Sequence, residues 1–159
     1  MIKMEIKGLL MDPVSNMPVV ILRDRDDGMF LPIWVGIFEA NAIALEMEKI
    51  ATPRPMTHDL LKNVLAELGF QVERVVITEL KDNTFYARIR LTHGDASWDV
   101  DSRPSDAIAL ALRSKAEIFV EEEVLEKSRT LRAEGTIDPE RLKKWLEEVN
   151  PEDLGKYRM

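Results

Sequence analysis

From Met1 to Met11 the chain alternates Ile2, Met4 and Ile6 with Lys3, Glu5 and Lys7, a period of two that predicts a half-buried strand. Asp12, Pro13, Ser15 and Asn16 form a turn before Met17–Asp24, a run rich in β-branched Val19, Val20 and Ile21, so the two runs predict a hairpin. A polar turn at Asp26–Gly28 leads to a third strand, Met29–Val35. At Ile37 the period changes. Ala40, Ile43, Ala44 and Met47 share one face, which predicts a helix to about Ile50. Pro53 and Pro55 cannot continue it. Thr57 is then placed as an N-cap, with Leu60, Leu61, Val64, Leu65 and Leu68 as the apolar stripe of a second helix that stops at Gly69.

Phe70–Leu80 and Thr84–Thr92 predict a second hairpin through Lys81, Asp82 and Asn83. In its second strand Phe85, Ala87, Ile89 and Leu91 face one way and Tyr86, Arg88 and Arg90 the other, as in a sheet covered on one side. Ala96–Ser102 is the next strand, followed at Arg103 and Pro104 by an apolar helix through Ile108, Leu110 and Leu112. Glu117–Val120 is a short strand and Glu121–Glu134 a further helix. Beyond Gly135, Asp138 and Pro139 open a last amphipathic helix with Leu142, Trp145, Leu146 and Val149 at offsets of three, four and seven. The pattern predicts one α+β domain over residues 1–130. It holds a mostly antiparallel sheet in two strand triplets with packed helices, and a C-terminal helical extension follows over 131–159.

Composition narrows the partners. A net charge of −7 argues against passive coating of nucleic acid, which needs a basic surface that releases counterions. Without cysteine there is neither a disulfide framework nor a thiolate metal site. MIKMEIKGLL has no continuous apolar region of the kind a signal peptide carries, and no run of 18 apolar residues occurs, so a cytoplasmic protein without membrane association is expected. H-E-x-x-H, G-x-S-x-G and Walker patterns are all missing.

The candidate chemistry lies in three stretches. In ASWDVDSRPSDAIALALR, Asp99 and Asp101 are two apart on a strand and share a face, while Asp106 opens the following helix. Carboxylates are hard ligands suited to Mg²⁺ or Mn²⁺, and Arg103 would hold a phosphate oxygen. The plainer reading pairs Asp101 with Arg103, caps the helix with Ser102 or Ser105, and leaves Asp106 to complement the helix dipole. In PRPMTHD, Arg54, His58 and Asp59 stand at a helix start, where His58 would move a proton or ligate a metal; a capped helix with a solvated histidine is the alternative. LPIWVGIFEA places Gly36 and Glu39 at a strand-to-helix turn, although one glycine makes no phosphate loop. Trp34 is read as core or interface, and His93 as a turn residue.

Taken together and in order, LPIWVGIFEA, PRPMTHDLLKNVLAELG, TFYARIRL and DSRPSDAIALALR resemble the bifunctional nuclease domain family over roughly Met1–Thr130, the VEEEVLE run from Val120 included. The resemblance implies a small α+β domain and cleavage of DNA and RNA. Its signature positions match Glu39, Arg54, His58, Asp59, Asp101, Arg103, Ser105 and Asp106.

The expected function is therefore a metal-assisted nuclease acting on DNA or RNA. Asp101 and Asp106, joined by Asp99 or Glu39, would hold Mg²⁺ or Mn²⁺. Arg54, Arg103 and Ser105 would bind substrate, and His58 would be catalytic with Asp101 and Asp106. Two alternatives stand beside it: a non-catalytic, oligomeric regulatory or interaction protein, and a phosphoesterase for small molecules. The C-terminal stripe suits packing on the body or self-association, so a homo-oligomer is expected.

Overall fold

The computed structural model describes residues 1–26 and 28–133, with side chains through Arg129. In chain order the elements are β1 (Ile2–Met11), β2 (Pro18–Arg23), β3 (Phe30–Trp34), α1 (Ile37–Met47), α2 (Thr57–Glu67), β4 (Gln71–Lys81), β5 (Thr84–His93), β6 (Ala96–Ser102), α3 (Pro104–Ser114), β7 (Glu117–Val120) and α4 (Glu122–Ala133). The expected C-terminal helix, with Leu142, Trp145, Leu146 and Val149, lies outside the described residues.

Both expected triplets form, β3-β2-β1 and β4-β5-β6, and β7 joins them into one seven-stranded sheet of order β3-β2-β1-β7-β4-β5-β6. β7 runs antiparallel to β1 and parallel to β4; every other pairing is antiparallel. The β4–β5 hairpin turns on Asp82 and Asn83, both at positive φ (52° and 60°), the geometry that a two-residue turn between right-twisted strands needs. Asn and Asp adopt it at the lowest steric cost after glycine.

The faces of β5 divide as their alternation predicts. Ala87 and Ile89 are buried, in register with Ile77 and Val75 of β4, whereas Tyr86 and Arg88 are exposed. The apolar face is covered by α3, which buries Ala107, Ile108, Ala109, Leu110 and Ala111. Alternating alanines let the helix approach both the sheet and α1, whose Ala40, Ile43 and Ala44 are buried in the same core.

Three boundary expectations change. α1 ends at Met47 rather than near Ile50, because Lys49 takes a left-handed conformation (φ 54°) and Ile50 N–H returns to Leu45 O at 2.9 Å. Met56, not Thr57, is the N-cap of α2, and the Asp59 carboxylate accepts the Met56 N–H at 2.9 Å. Neither Ser102 nor Ser105 caps α3: Arg103 holds the N-cap position in extended geometry and Pro104 fills the first turn. Most of the apolar stripe of α2 is not core, and of its five residues only Leu65 packs against it. Leu60, Leu61, Val64 and Leu68 are exposed, and α2 buries no residue.

Candidate functional site

The starts of α1, α2 and α3 converge on a cleft of about 920 Å³ whose walls include Phe38, Leu45, Met56, Leu61, Leu65 and Val100. Its polar residues are those that begin the three helices. Gly36 stands ahead of α1, and the Glu39 side chain folds back over it so closely that a Cβ at Gly36 would collide with the carboxylate. That close approach, rather than a phosphate loop, is what the glycine permits. Glu39 Oε1 accepts Arg103 Nη1 at 2.9 Å. Arg103 also donates Nε to Asp106 Oδ2 at 2.8 Å, one helical turn into α3. The other Asp106 oxygen, Oδ1, lies 2.8 Å from His58 Nε2 in the first turn of α2. One chain of contacts, Glu39–Arg103–Asp106–His58, thus ties three helix starts together.

Burial decides how these groups behave. The side chains of His58 and Glu39 are 13% and 17% exposed, whereas that of Arg103 is 64% exposed. Burial pushes the Asp106 carboxyl up, but hydrogen bonds from Arg103 and His58, with the charges of both, outweigh it and hold the group below its ordinary value. Arg103 is raised, first by its hydrogen bonds to Asp106 and Glu39. Asp106 is therefore an ionised acceptor at neutral pH. With Asp106 on Nε2, the neutral tautomer that donates from this nitrogen leaves Nδ1 of His58 free to accept a proton.

A second polar clasp has little signature in the sequence. Arg113, with a side chain only 3% exposed, donates Nε to Asp59 Oδ1 at 2.7 Å, Nη1 to Ala109 O at 2.9 Å and Nη2 to Ala42 O at 2.9 Å. It satisfies three acceptors on α2, α3 and α1. Burial raises the Asp59 carboxyl, but the Met56 N–H and Arg113 more than offset this and the group is lowered. Asp59 adjoins His58, so the clasp fixes the turn that carries the imidazole. The available signal was a lone arginine ending the apolar run IALALR, four residues after Ala109.

The remaining expected residues are spread out. Asp99 and Asp101 do share a face, but they stand in register with Arg90 and Arg88, on the side of the sheet away from α3. Asp99 Oδ2 accepts Arg90 Nη1 at 3.0 Å. Asp101 borders the cleft at the end of β6, yet its side chain makes no ion pair with Arg103. Arg54 is exposed in the proline loop and is absent from the cleft wall, and Ser105 is buried in the first turn of α3. Among the described residues no three His, Asp or Glu side chains converge on a point that would hold a metal ion. The donor set expected for Mg²⁺ or Mn²⁺ is thus not preassembled, because Glu39 and Asp106 are engaged by Arg103 and Asp99 by Arg90. Trp34 is half-buried, with Nε1 donating to Asp12 Oδ2 at 3.0 Å. His93 ends β5 and its ring lies 5.1 Å from that of Phe70. No helix among the described residues is long and apolar enough to cross a membrane.

Known proteins place these residues in a family. The chain is 37% identical over 164 residues to an uncharacterized protein of Mycobacterium tuberculosis, covering 96% of this chain and 97% of that one. It is also similar to bifunctional nuclease 1 of Arabidopsis thaliana (31% identity, 71% of this chain, 36% of the plant protein) and to bifunctional nuclease 1 of Oryza sativa subsp. indica (28%, 70% and 34%). The bifunctional nuclease domain model matches residues 20–132, which hold every residue of both clasps. The chain belongs to the bifunctional nuclease domain family.

Proposed function

We propose that this chain cleaves phosphodiester bonds in DNA or RNA, with His58 as the proton-transferring group of the cleft. The observation that carries the reading is the 2.8 Å contact between His58 Nε2 and Asp106 Oδ1 in a carboxylate kept ionised by Arg103. An anionic partner on one ring nitrogen fixes the tautomer and stabilises the imidazolium that forms as the other nitrogen takes a proton. His58 Nδ1 would accept it from a water whose oxygen bonds to phosphorus as the P–O bond to one sugar oxygen breaks, that leaving oxygen taking its proton from solvent. Arg103, largely exposed and held in place by two carboxylates, would turn spare N–H groups to a phosphate oxygen and stabilise the charge that develops on it. The names of the plant relatives support the same reaction class.

No step runs through a metal. Glu39 and Asp106 would have to leave Arg103 to ligate one, so Mg²⁺ or Mn²⁺ enters the reading as an arm of its test. Purified wild type and Asp106→Asn are compared on single-stranded and duplex substrates, with added Mg²⁺ or Mn²⁺ and with chelator. Cleavage by wild type that falls about 100-fold or more in Asp106→Asn supports the reading. Equal cleavage by both overturns it, and loss of wild-type activity in chelator shows that the carboxylates are recruited by metal.

A further inference from the structure

The cleft is charged at one corner and apolar elsewhere. His58 aside, Arg103 is the only basic residue of its wall among the described residues, and it faces the carboxylates of Glu39, Asp101 and Asp106. Most of the remaining wall is hydrocarbon, supplied by α1, α2 and the sheet. On the sheet side Val100 of β6 stands in register with Ile89 of β5, and Trp98 with Leu91. Ile89, Leu91 and Val100 line the cleft, so Trp98, the next residue of β6 on the same face, stands at its edge. β6 is an edge strand, and Trp98 is 45% exposed. Its ring lies 5.3 Å from that of Phe70, which is itself 5.1 Å from His93, so packed rings hold the indole at the surface.

We propose that the cleft takes nucleic acid as a single strand, with one phosphate on Arg103, unpaired bases against the apolar wall, and Trp98 as the stacking platform for a base farther along. The proposal deepens the cleavage reading and rests on it for the phosphate at Arg103. Charge favours unpaired bases over a duplex. A protein of net charge −7 with one arginine in its cleft cannot assemble the roughly 6–10 phosphate contacts on which duplex binding commonly relies. Arg88 and Arg90 do not add to them, because they lie on the far face of the sheet, and Arg90 is already paired with Asp99. Affinity must then come from the bases. In a duplex their faces are stacked on one another, whereas a single strand offers them to apolar and aromatic side chains. Depth points the same way. His58 is 13% exposed, so the phosphate must enter a cleft of about 920 Å³, which has room for an unpaired nucleotide but not for a base pair with its flanking stack. From Ser102, beside Arg103, to Trp98 is about 13 Å along the strand, a span that a few nucleotides cover.

Binding is read apart from turnover by fluorescence anisotropy with an oligothymidylate of about 12 nucleotides whose phosphorothioate linkages resist cleavage. Wild type should bind it at least about tenfold tighter than the matching duplex, and at least about tenfold tighter than an abasic strand of the same length. Trp98→Ala should weaken binding of the strand about tenfold and Trp98→Phe less than about threefold. Log affinity should fall with log salt at a slope of about −0.7 to −1.4, as one or two phosphate contacts give. Equal affinity for strand and duplex, for strand and abasic strand, or for wild type and Trp98→Ala would each overturn the proposal. A cleavage assay run beside it separates the two readings: base-dependent binding without cleavage supports this one and fails the other, and cleavage with no preference for bases does the reverse. Should Trp98→Ala fold poorly, the abasic comparison on wild type decides alone.

Discussion

Helices α2 and α3 are each 11 residues long, each carry an apolar stripe and each contribute one first-turn side chain to the site, His58 and Asp106, yet they are held by opposite means. α3 buries eight residues between the sheet and α1, including Arg113. α2 fully buries none; its first turn is tied by Asp59 to Arg113 and by His58 to Asp106, and beyond that turn only Leu65 packs against the described core. An apolar stripe shows that a face can be buried, not that the elements next to it in the chain bury it. In this molecule the difference sets rigid scaffold against clasped element, and the site lies where the two meet.

The largest expected effect contrasts the two helices directly. Ile108→Ala in α3 should cost about 3–4 kcal/mol in urea unfolding, since a fully buried side chain leaves a cavity. Leu60→Ala in α2, 56% exposed, should stay within about 0.5 kcal/mol. Comparable losses would mean that α2 packs on its own chain.

Removing the clasp comes next. Arg113→Leu should cost about 3 kcal/mol, the lower edge of the range for breaking a buried pair because Asp59 is about a third exposed. Amide exchange in α2 should quicken more than in α3. Uniform acceleration across both helices would show Arg113 to be general core rather than a fastening for α2.

Gly36→Ala is smaller. The new methyl must displace the Glu39 carboxylate and leave Arg103 with Asp106 alone, so cleavage should fall about tenfold while stability changes by less than about 1 kcal/mol. Unchanged activity would remove Glu39 from the site.

The smallest effect is one of pH. Both Asp59 and Asp106 are lowered from an ordinary value of 3.8. Their contribution to stability is therefore fully present above that value and is lost as pH falls through the lowered one. The stability gap between wild type and Asp59→Asn should be flat from pH 7 to about 5 and close below about 4. A gap that narrows on going to higher pH would contradict the cause given for the shift.

Much of the frame was legible because it is local. Alternation in β5 marked its covered face, and Asp82-Asn83 marked the tight turn. Neighbours were not legible: nothing in the four residues of β7 says that they join two triplets, one edge parallel and the other antiparallel. The site divides the same way. Period two placed Asp99 and Asp101 together, but which face they share depends on their register with Arg90 and Arg88. The Arg103–Glu39 pair spans 64 positions and the His58–Asp106 pair 48, so their meeting is a product of the packed helices. The expected Asp101–Arg103 pairing gave way to Glu39 and Asp106 for the same reason.

If the proposed reactive centre is the helix-start cluster rather than the strand carboxylates, one comparison of cleavage rates tests it. Asp99→Ala plus Asp101→Ala is set against His58→Gln, with wild type, on the same single-stranded substrate. The strand variant should keep activity within about threefold of wild type, and His58→Gln should lose about 100-fold or more. A strand variant without activity beside an unimpaired His58→Gln would contradict the account and return the chemistry to Asp99 and Asp101.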